Sequence, residues 1–233
     1  MSADTGHVVL AVFRVLARLF PFLPPPGKER VTAADLKPLF KGWDMRIVLM
    51  LFACAPFTVW ASKALLAVCF RPPAAPAGAL VHLTIDPMFF LLPGLFLGLV
   101  LAAPPVMGLT QLLLRERFRD YILYGNLLVG FDTVKIWITL SAFVVFLSVG
   151  LAAAAGGVHL TAFADRLELR HFAQARTVVV PASQVTSATV DGDGALTLSF
   201  AGGGTWSSTG DLGLLAPTPG QAQAIAQRFG SGR

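Results

Sequence analysis

Residues 136–170 read IWITLSAFVVFLSVGLAAAAGGVHLTAFADRLELR, and the residue pattern changes once within this stretch. The part up to Gly157 is almost wholly apolar and is long enough to cross a bilayer as a helix, which needs about 20 residues. From Val158 onward, apolar and polar residues alternate, which is typical of β-strands with one buried face. The sequence therefore predicts a helical membrane domain followed by a small, mainly β domain.

The composition of the whole chain also indicates a membrane protein. Of its 233 residues, 55% are hydrophobic and only 13% are charged, and the mean hydropathy is +0.69. Soluble domains carry about 25% charged residues. The net charge is +5, and the basic residues cluster at the ends of the apolar stretches, where Lys and Arg normally set topology. We therefore expect membrane lipids, and no nucleic acid, among the partners.

Three stretches are predicted to cross the membrane, namely residues 46–70, 88–114 and 136–157, so that 46–157 is the transmembrane domain. Lys63 is the one clear charge inside a span, and it lies close enough to the end for its side chain to reach the interface. The second span contains Pro93, Pro104 and Pro105, which predict a bend or an early end because proline removes a backbone donor.

The N-terminal segment 7–23 is apolar except for Arg14 and Arg18, which lie four positions apart on one helical face. Each arginine inside a crossing helix costs about 2.5 to 3.5 kcal/mol. We therefore expect an amphipathic helix in the membrane surface, with both arginines toward the lipid headgroups. Packing of this helix on the spans is the alternative. Residues 1–45 thus comprise an interfacial helix and a polar connector.

The distribution of Lys and Arg in the short loops predicts the orientation. Basic residues are frequent before the first span and in the 115–135 loop, whereas the loop between the first two spans has only Arg71. The positive-inside rule then places the N-terminus and the 115–135 loop in the cytoplasm. With three crossings, the C-terminal domain faces the periplasm of a bacterial inner membrane. The residues expected to set topology or contact headgroups are Arg14, Arg18, Arg115, Arg117 and Arg119.

Two further features of the membrane domain concern its contacts. Gly94 and Gly98 form a small-xxx-small pair that permits close helix approach, and we favour packing within one chain over a dimer interface.

The segment YILYGNLLVGF, residues 121–131, is more apolar than a connector needs to be. It is either a short interfacial helix or a docking surface for the helices of a partner.

The C-terminal residues 158–233 are predicted to form six or seven short strands and one helix. Strands are expected on both sides of Ala164–Asp165, in TVVVP, and on both sides of the turn DGDG at 191–194, with further short strands in TWSST and at 212–215. The helix from Pro219 to Phe229 has a capping box formed by Thr218 and Gln221. Its apolar stripe requires a sheet to cover.

The element order, together with DRLELR and TVVVPASQVTSATV, resembles the pleckstrin-homology-like (PH-like) domains that some bacterial membrane proteins carry after their spans. The resemblance covers about residues 158–230 and implies a small barrel closed by the C-terminal helix. It also implies a role in assembly or interaction. The basic cluster that binds lipids in eukaryotic members is absent from the first hairpin, where Arg166, Arg170 and Arg176 are interspersed with acidic residues.

No catalytic motif occurs in the sequence. HExxH and GxSxG are absent, and the four histidines are scattered without a second ligand at metal spacing. DGDG lacks the remaining ligands of a calcium loop and indicates a hairpin turn. We therefore expect no enzymatic activity, cofactor or metal, and predict an accessory, assembly or scaffold subunit that docks on a membrane complex or on itself. An oligomeric transport or channel component and a lipid-handling protein are the alternatives.

Overall fold

A computed structural model describes residues 3–210, 215 and 217–230 of the chain. Its contacts define two compact units, Met1–Val59 with Phe96–Phe146, and Trp60–Leu95 with Leu147–Arg233. Each unit joins segments that are far apart in the sequence. The units therefore cut across the sequence-based division into residues 1–45, 46–157 and 158–233.

The chain begins with helix α1, Ala3–Leu19, followed by a proline-rich connector. The predicted helix extended to residue 23, but Pro21 and Pro24 to Pro26 cannot continue it. Pro21 instead forms an isolated antiparallel bridge with Phe131. A short helix α2, Ala33–Leu36, then begins at Thr32 with a capping box completed by Asp35, and a 3-10 turn covers Lys37–Phe40.

Three helices of the described chain are long and apolar enough to cross a membrane, as predicted. They are α3, Trp43–Cys69; α4, Leu91–Leu114; and α6, Thr133–Gly156. Helix α4 contains Pro104 and Pro105 and still continues to Leu114, so these prolines do not end it early. Lys63 of α3 donates from Nζ to Sδ of Met88, at 3.2 Å, just before α4.

Between α4 and α6 lies the amphipathic helix α5, Phe118–Val129, which overlaps the apolar segment 121–131 noted in the sequence. A 3-10 turn, Arg115–Arg117, separates it from α4, and Arg115 adopts a positive φ of 50° there. Helix α5 ends at Gly130, whose φ of 81° is a left-handed conformation that glycine adopts without strain.

The first sheet has four antiparallel strands in the order β1-β2-β3-β4. They are β1, Val81–Thr84; β2, His159–Ala162; β3, Arg166–Arg170; and β4, Val178–Pro181. Strand β1 comes from the loop between the first two spans, where the sequence predicts no strand. Val81 lies opposite Ala162, and Thr84 lies opposite His159. Since Val81 and Leu83 are buried, this loop segment supplies part of the core of the domain.

The second sheet has three antiparallel strands: β5, Val185–Val190; β6, Leu196–Phe200; and β7, Thr205–Ser207. The DGDG segment joins β5 to β6 as a turn, with Asp191 accepting from the amides of Asp193 and Ala195. Helix α7, Pro219–Phe229, has the predicted capping box and buries Ala222, Ile225 and Phe229. It packs on β5 and contacts β1.

The expected barrel does not close in the part of the chain that the structure describes. The seven strands form two separate sheets. At Pro181 the chain leaves the first sheet through a 3-10 turn, Ala182–Gln184, before β5 begins, so β4 does not pair with β5. The strand predicted at residues 212–215 lies outside the described residues, apart from Leu215, which is buried and is not part of a strand.

Candidate functional site

The arginines of α1 are exposed, and residues next to them in the sequence contact a later part of the chain. Arg14 and Arg18 are both exposed. Phe13 packs on Phe131 with ring centroids 5.6 Å apart, and the amide of Asp132 donates to the carbonyl of Phe20 at 3.0 Å. Helix α1 therefore contacts the junction between α5 and α6, and its arginines remain available to a charged surface.

Arg115, Arg117 and Arg119 lie around the junction of α4 and α5 and are exposed. No acidic side chain within the described residues forms an ion pair with any of them. Glu116 lies between the first two and is also exposed. The junction thus presents an excess of positive charge that is not neutralised by the fold.

The connector packs on α5 to form a small compact body, which we call the cap. Its core consists of Leu36, Phe40, Leu123 and Tyr124. The ring of Phe40 meets the ring of Tyr121 edge-on at 5.3 Å. These contacts join the connector, which precedes α3, to α5, which follows α4. The connector and α5 therefore lie at the same end of α3 and α4.

Polar contacts fix the cap further. Lys28 forms an ion pair with Asp120 at 3.3 Å, and the Tyr121 hydroxyl donates to Asp44 at 2.9 Å. At the start of α2, the hydroxyl and amide of Thr32 donate to Asp35, which lowers the pKa of that carboxyl below its ordinary value. Asp120 and Asp132 are paired with Lys28 and Lys135, so they contribute little to neutralising the nearby arginines. Asp44 accepts from a neutral hydroxyl and keeps its negative charge, two positions before Arg46.

Next to the cap, helices α3, α4, α5 and α6 line an apolar cavity of about 480 Å³. A second cavity of about 330 Å³ adjoins it and shares Leu51 and Trp137 as walls. The hydroxyl of Thr133, a lining residue, donates to Asn126 Oδ1 at 2.5 Å and is thereby satisfied. The remaining lining residues are Ile47, Val48, Phe52, Ala55, Leu99, Ala102, Ala103, Pro104, Val106, Met107, Phe118, Ile122 and Val134.

Gly94 and Gly98 lie where α4 approaches α3 within the chain. A Cβ added to Gly94 would lie 2.9 Å from the Cα of Lys63. A Cβ on Gly98 would lie 2.5 Å from the amide nitrogen of Val59. Contacts of this length with backbone atoms leave no space for a side chain, so both glycines permit close packing of one helix on the other.

The outer strand β4 of the first sheet exposes two valines. Val178 and Val179 are 45% and 55% exposed, whereas Val180 is buried. Strand β4 pairs with β3 on one side and is the terminal strand of its sheet. An outer strand with apolar side chains and free backbone groups is a template for pairing with another chain.

Among residues 3–210, 215 and 217–230, no group of three or more His, Cys, Asp or Glu side chains is placed to hold a metal. His82 and His159 are near each other, with ring centroids 6.0 Å apart. Each of these rings is hydrogen-bonded within the part of the chain that forms the two sheets and α7, which we call the sheet domain. His82 bonds to Thr161 and to the Pro73 carbonyl, and His159 bonds to the Gly157 carbonyl.

The hydrogen bond from Arg166 to Glu168 raises the pKa of the Arg166 guanidinium, which also lies over the Phe163 ring.

The sequence matches no protein-family model, and neither the curated proteins nor the solved structures contain a significant match.

The charged residues of this region can be predicted from the sequence, but the cavities cannot. Their walls are ordinary apolar residues on four helices, and nothing in the sequence distinguishes them from residues that face lipid. One signal was present: basic residues directly flank lining residues, as Arg46 does for Ile47 and Arg117 for Phe118. That proximity becomes informative only when the cavity is known.

Proposed function

We propose that the protein is a non-enzymatic accessory or assembly subunit of the bacterial inner membrane, with its sheet domain on the periplasmic side. The observation that carries the proposal is the outer strand β4, which exposes Val178 and Val179. A partner subunit adds an extended segment to this strand, so that main-chain hydrogen bonds supply affinity and the valines supply apolar contact.

The arrangement of the sheet domain supports a PH-like interpretation. Antiparallel sheets of four and three strands with one C-terminal helix resemble that fold, although β1 is supplied by the loop between the first two spans and α4 to α6 lie between β1 and β2 in the chain. The scaffold is rigid and well covered, since Leu160, Leu167, Leu196 and Leu198 are fully buried. An interaction module requires such a scaffold to hold one surface in a fixed shape.

The spans support docking within the membrane. In the most apolar 18-residue stretch of each helix, only 6% of α3 and 11% of α6 is buried within the chain. Their remaining surfaces contact lipid or the helices of a partner. A subunit that assembles with other membrane proteins uses such surfaces together with its extramembrane domain.

Purification from the native membrane in several mild detergents tests the proposal. We expect the full-length chain to be recovered with other membrane subunits. Val179→Lys should reduce their recovery, because a charge on an outer strand opposes further pairing. Thr189→Lys, on the exposed surface of β5, is the matched control and should leave recovery unchanged. Recovery as a lone monomer in every detergent would contradict the proposal.

A photo-crosslinking amino acid at position 178 tests the mode of contact. We expect it to capture an extended apolar segment of another membrane subunit, mapped by mass spectrometry. The same amino acid at position 189 should capture none. Crosslinks between two copies of this chain would instead assign the outer strand to self-association and overturn the proposed partner.

A further inference from the structure

The two apolar cavities lie side by side and share the lining residues Leu51 and Trp137, and we call them together the trough. Along α3 the trough extends from Ile47 to Ala55, and along α4 from Met107 back to Leu99. The two helices thus supply successive turns to the same feature. Its walls carry no charged residue.

The length of the trough corresponds to one leaflet of a bilayer. Ile47 and Ala55 are eight positions apart, which on a helix is about 12 Å at 1.5 Å per residue. Half of the hydrocarbon core measures about 15 Å. The wall residues Val48, Phe52 and Trp137 are 43%, 74% and 40% exposed, so the trough is open to its surroundings at these positions. A chain from the surrounding lipid can therefore enter it without passing through the protein.

The end of the trough next to the cap carries three arginines and the two exposed acids Asp44 and Glu116, so its net charge is positive. Arg46 precedes the wall residue Ile47, and Arg117 and Arg119 flank the wall residue Phe118. All three arginines are exposed. Trp43 holds the Arg46 guanidinium 5.1 Å from the centre of its ring, which leaves its donors free for an anion. The apolar walls match the hydrocarbon chain of an anionic amphiphile, and the arginines at the end of the trough match its charged group.

We propose that the trough binds one acyl chain of an anionic phospholipid whose phosphate lies among Arg46, Arg117 and Arg119. The acyl chain fills the space between α3, α4 and α6, where the protein leaves its own apolar side chains uncovered. The arginines add a charge-assisted contact to the headgroup. Binding is thus selective for anionic over zwitterionic lipid with the same chains.

Native mass spectrometry of the full-length chain in detergent tests the selectivity, with dioleoyl phosphatidylglycerol and dioleoyl phosphatidylcholine as probes. We expect tighter binding of phosphatidylglycerol. Arg117→Gln with Arg119→Gln should weaken that binding by about 25-fold, since each basic residue near an anionic surface contributes about five-fold. The matched control is Arg71→Gln with Arg176→Gln, which removes two exposed arginines outside the trough and should have no effect. Equal affinity for both lipids, or equal losses in both double variants, would overturn the proposal.

A second pair of variants tests the trough itself. Ala55→Phe places a ring in the trough and should reduce binding of both lipids, whereas Ala53→Phe, on an exposed part of the same helix, should not. Equal effects of the two would contradict the site. A phosphatidylglycerol with a photoreactive acyl chain tests the wild-type chain directly, independent of any variant. We expect crosslinks to Met107 and Trp137, and their absence would overturn the assignment.

Discussion

At Gly98 the backbones of α3 and α4 are so close that a Cβ on this residue would meet the backbone of Val59. Gly98→Ala should therefore lower the free energy of unfolding by about 1 to 3 kcal/mol, the usual cost of overpacking. Thermal unfolding of the purified protein in detergent measures the effect.

Gly108 of the same helix provides the control. A Cβ there has no neighbour within 4 Å, so Gly108→Ala adds only the better helix propensity of alanine and should stabilise by about 0.5 to 1 kcal/mol. Opposite shifts of the unfolding temperature in the two variants are the expected result. If both variants shift it in the same direction, the close approach at Gly98 is not what requires glycine.

At the scale of one element, α7 illustrates a helix whose start is fixed by side chains. The backbone amide of Gln221 donates to Thr218 Oγ1 at 3.4 Å, and the backbone amide of Thr218 donates to Gln221 Oε1 at 2.9 Å. Thr218→Ala removes the hydroxyl acceptor and should destabilise the helix by about 1 kcal/mol. Amide hydrogen exchange within residues 219–229 should then become about five-fold faster.

Thr218→Ser keeps the acceptor and should leave exchange in α7 close to that of the wild type. The buried stripe of Ala222, Ile225 and Phe229 is the same in both variants, so any difference reports the cap. Equal exchange in the alanine and serine variants would mean that packing alone holds the helix start.

The whole molecule contains two pairings that constrain the number of membrane crossings. In one unit, the cap joins residues before α3 to residues after α4. In the other, β1 pairs with β2, although α4 and α6 lie between them in the chain. Segments that pair must be on one side of a membrane, so each pairing requires an even number of crossings between its members. Three crossings by α3, α4 and α6 satisfy both requirements.

Cysteine labelling in intact cells tests this topology. In a background without Cys54 and Cys69, a membrane-impermeant maleimide should label exposed cysteines introduced at Ala77 and Gly202. Cysteines introduced at Lys41 and Glu116, also exposed, should be labelled only after permeabilisation. Different labelling of positions 77 and 202 in intact cells would contradict the pairing of β1 with β2.

Local patterns were sufficient to predict much of this fold. The three spans, the strands around Ala164–Asp165, the DGDG turn and the capped final helix all depend on residues that are near each other in sequence. An apolar run that is long enough to cross a bilayer specifies a helix by itself, because unsatisfied backbone groups are too costly in lipid. Alternation and capping act over a few residues in the same way.

Strand β1, the cap and the trough depended on tertiary structure. The segment Val81–Thr84 is four residues long and lies in a proline-rich loop, and it becomes a strand only because β2 supplies partners about 80 positions later. The cap and the trough likewise combine side chains from segments separated by whole spans. The sequence by itself thus determined which elements form, since their signals are local. Apart from the close helix approach indicated by Gly94 and Gly98, which elements meet was decided by packing, because most contacts between distant segments leave no pattern in either one.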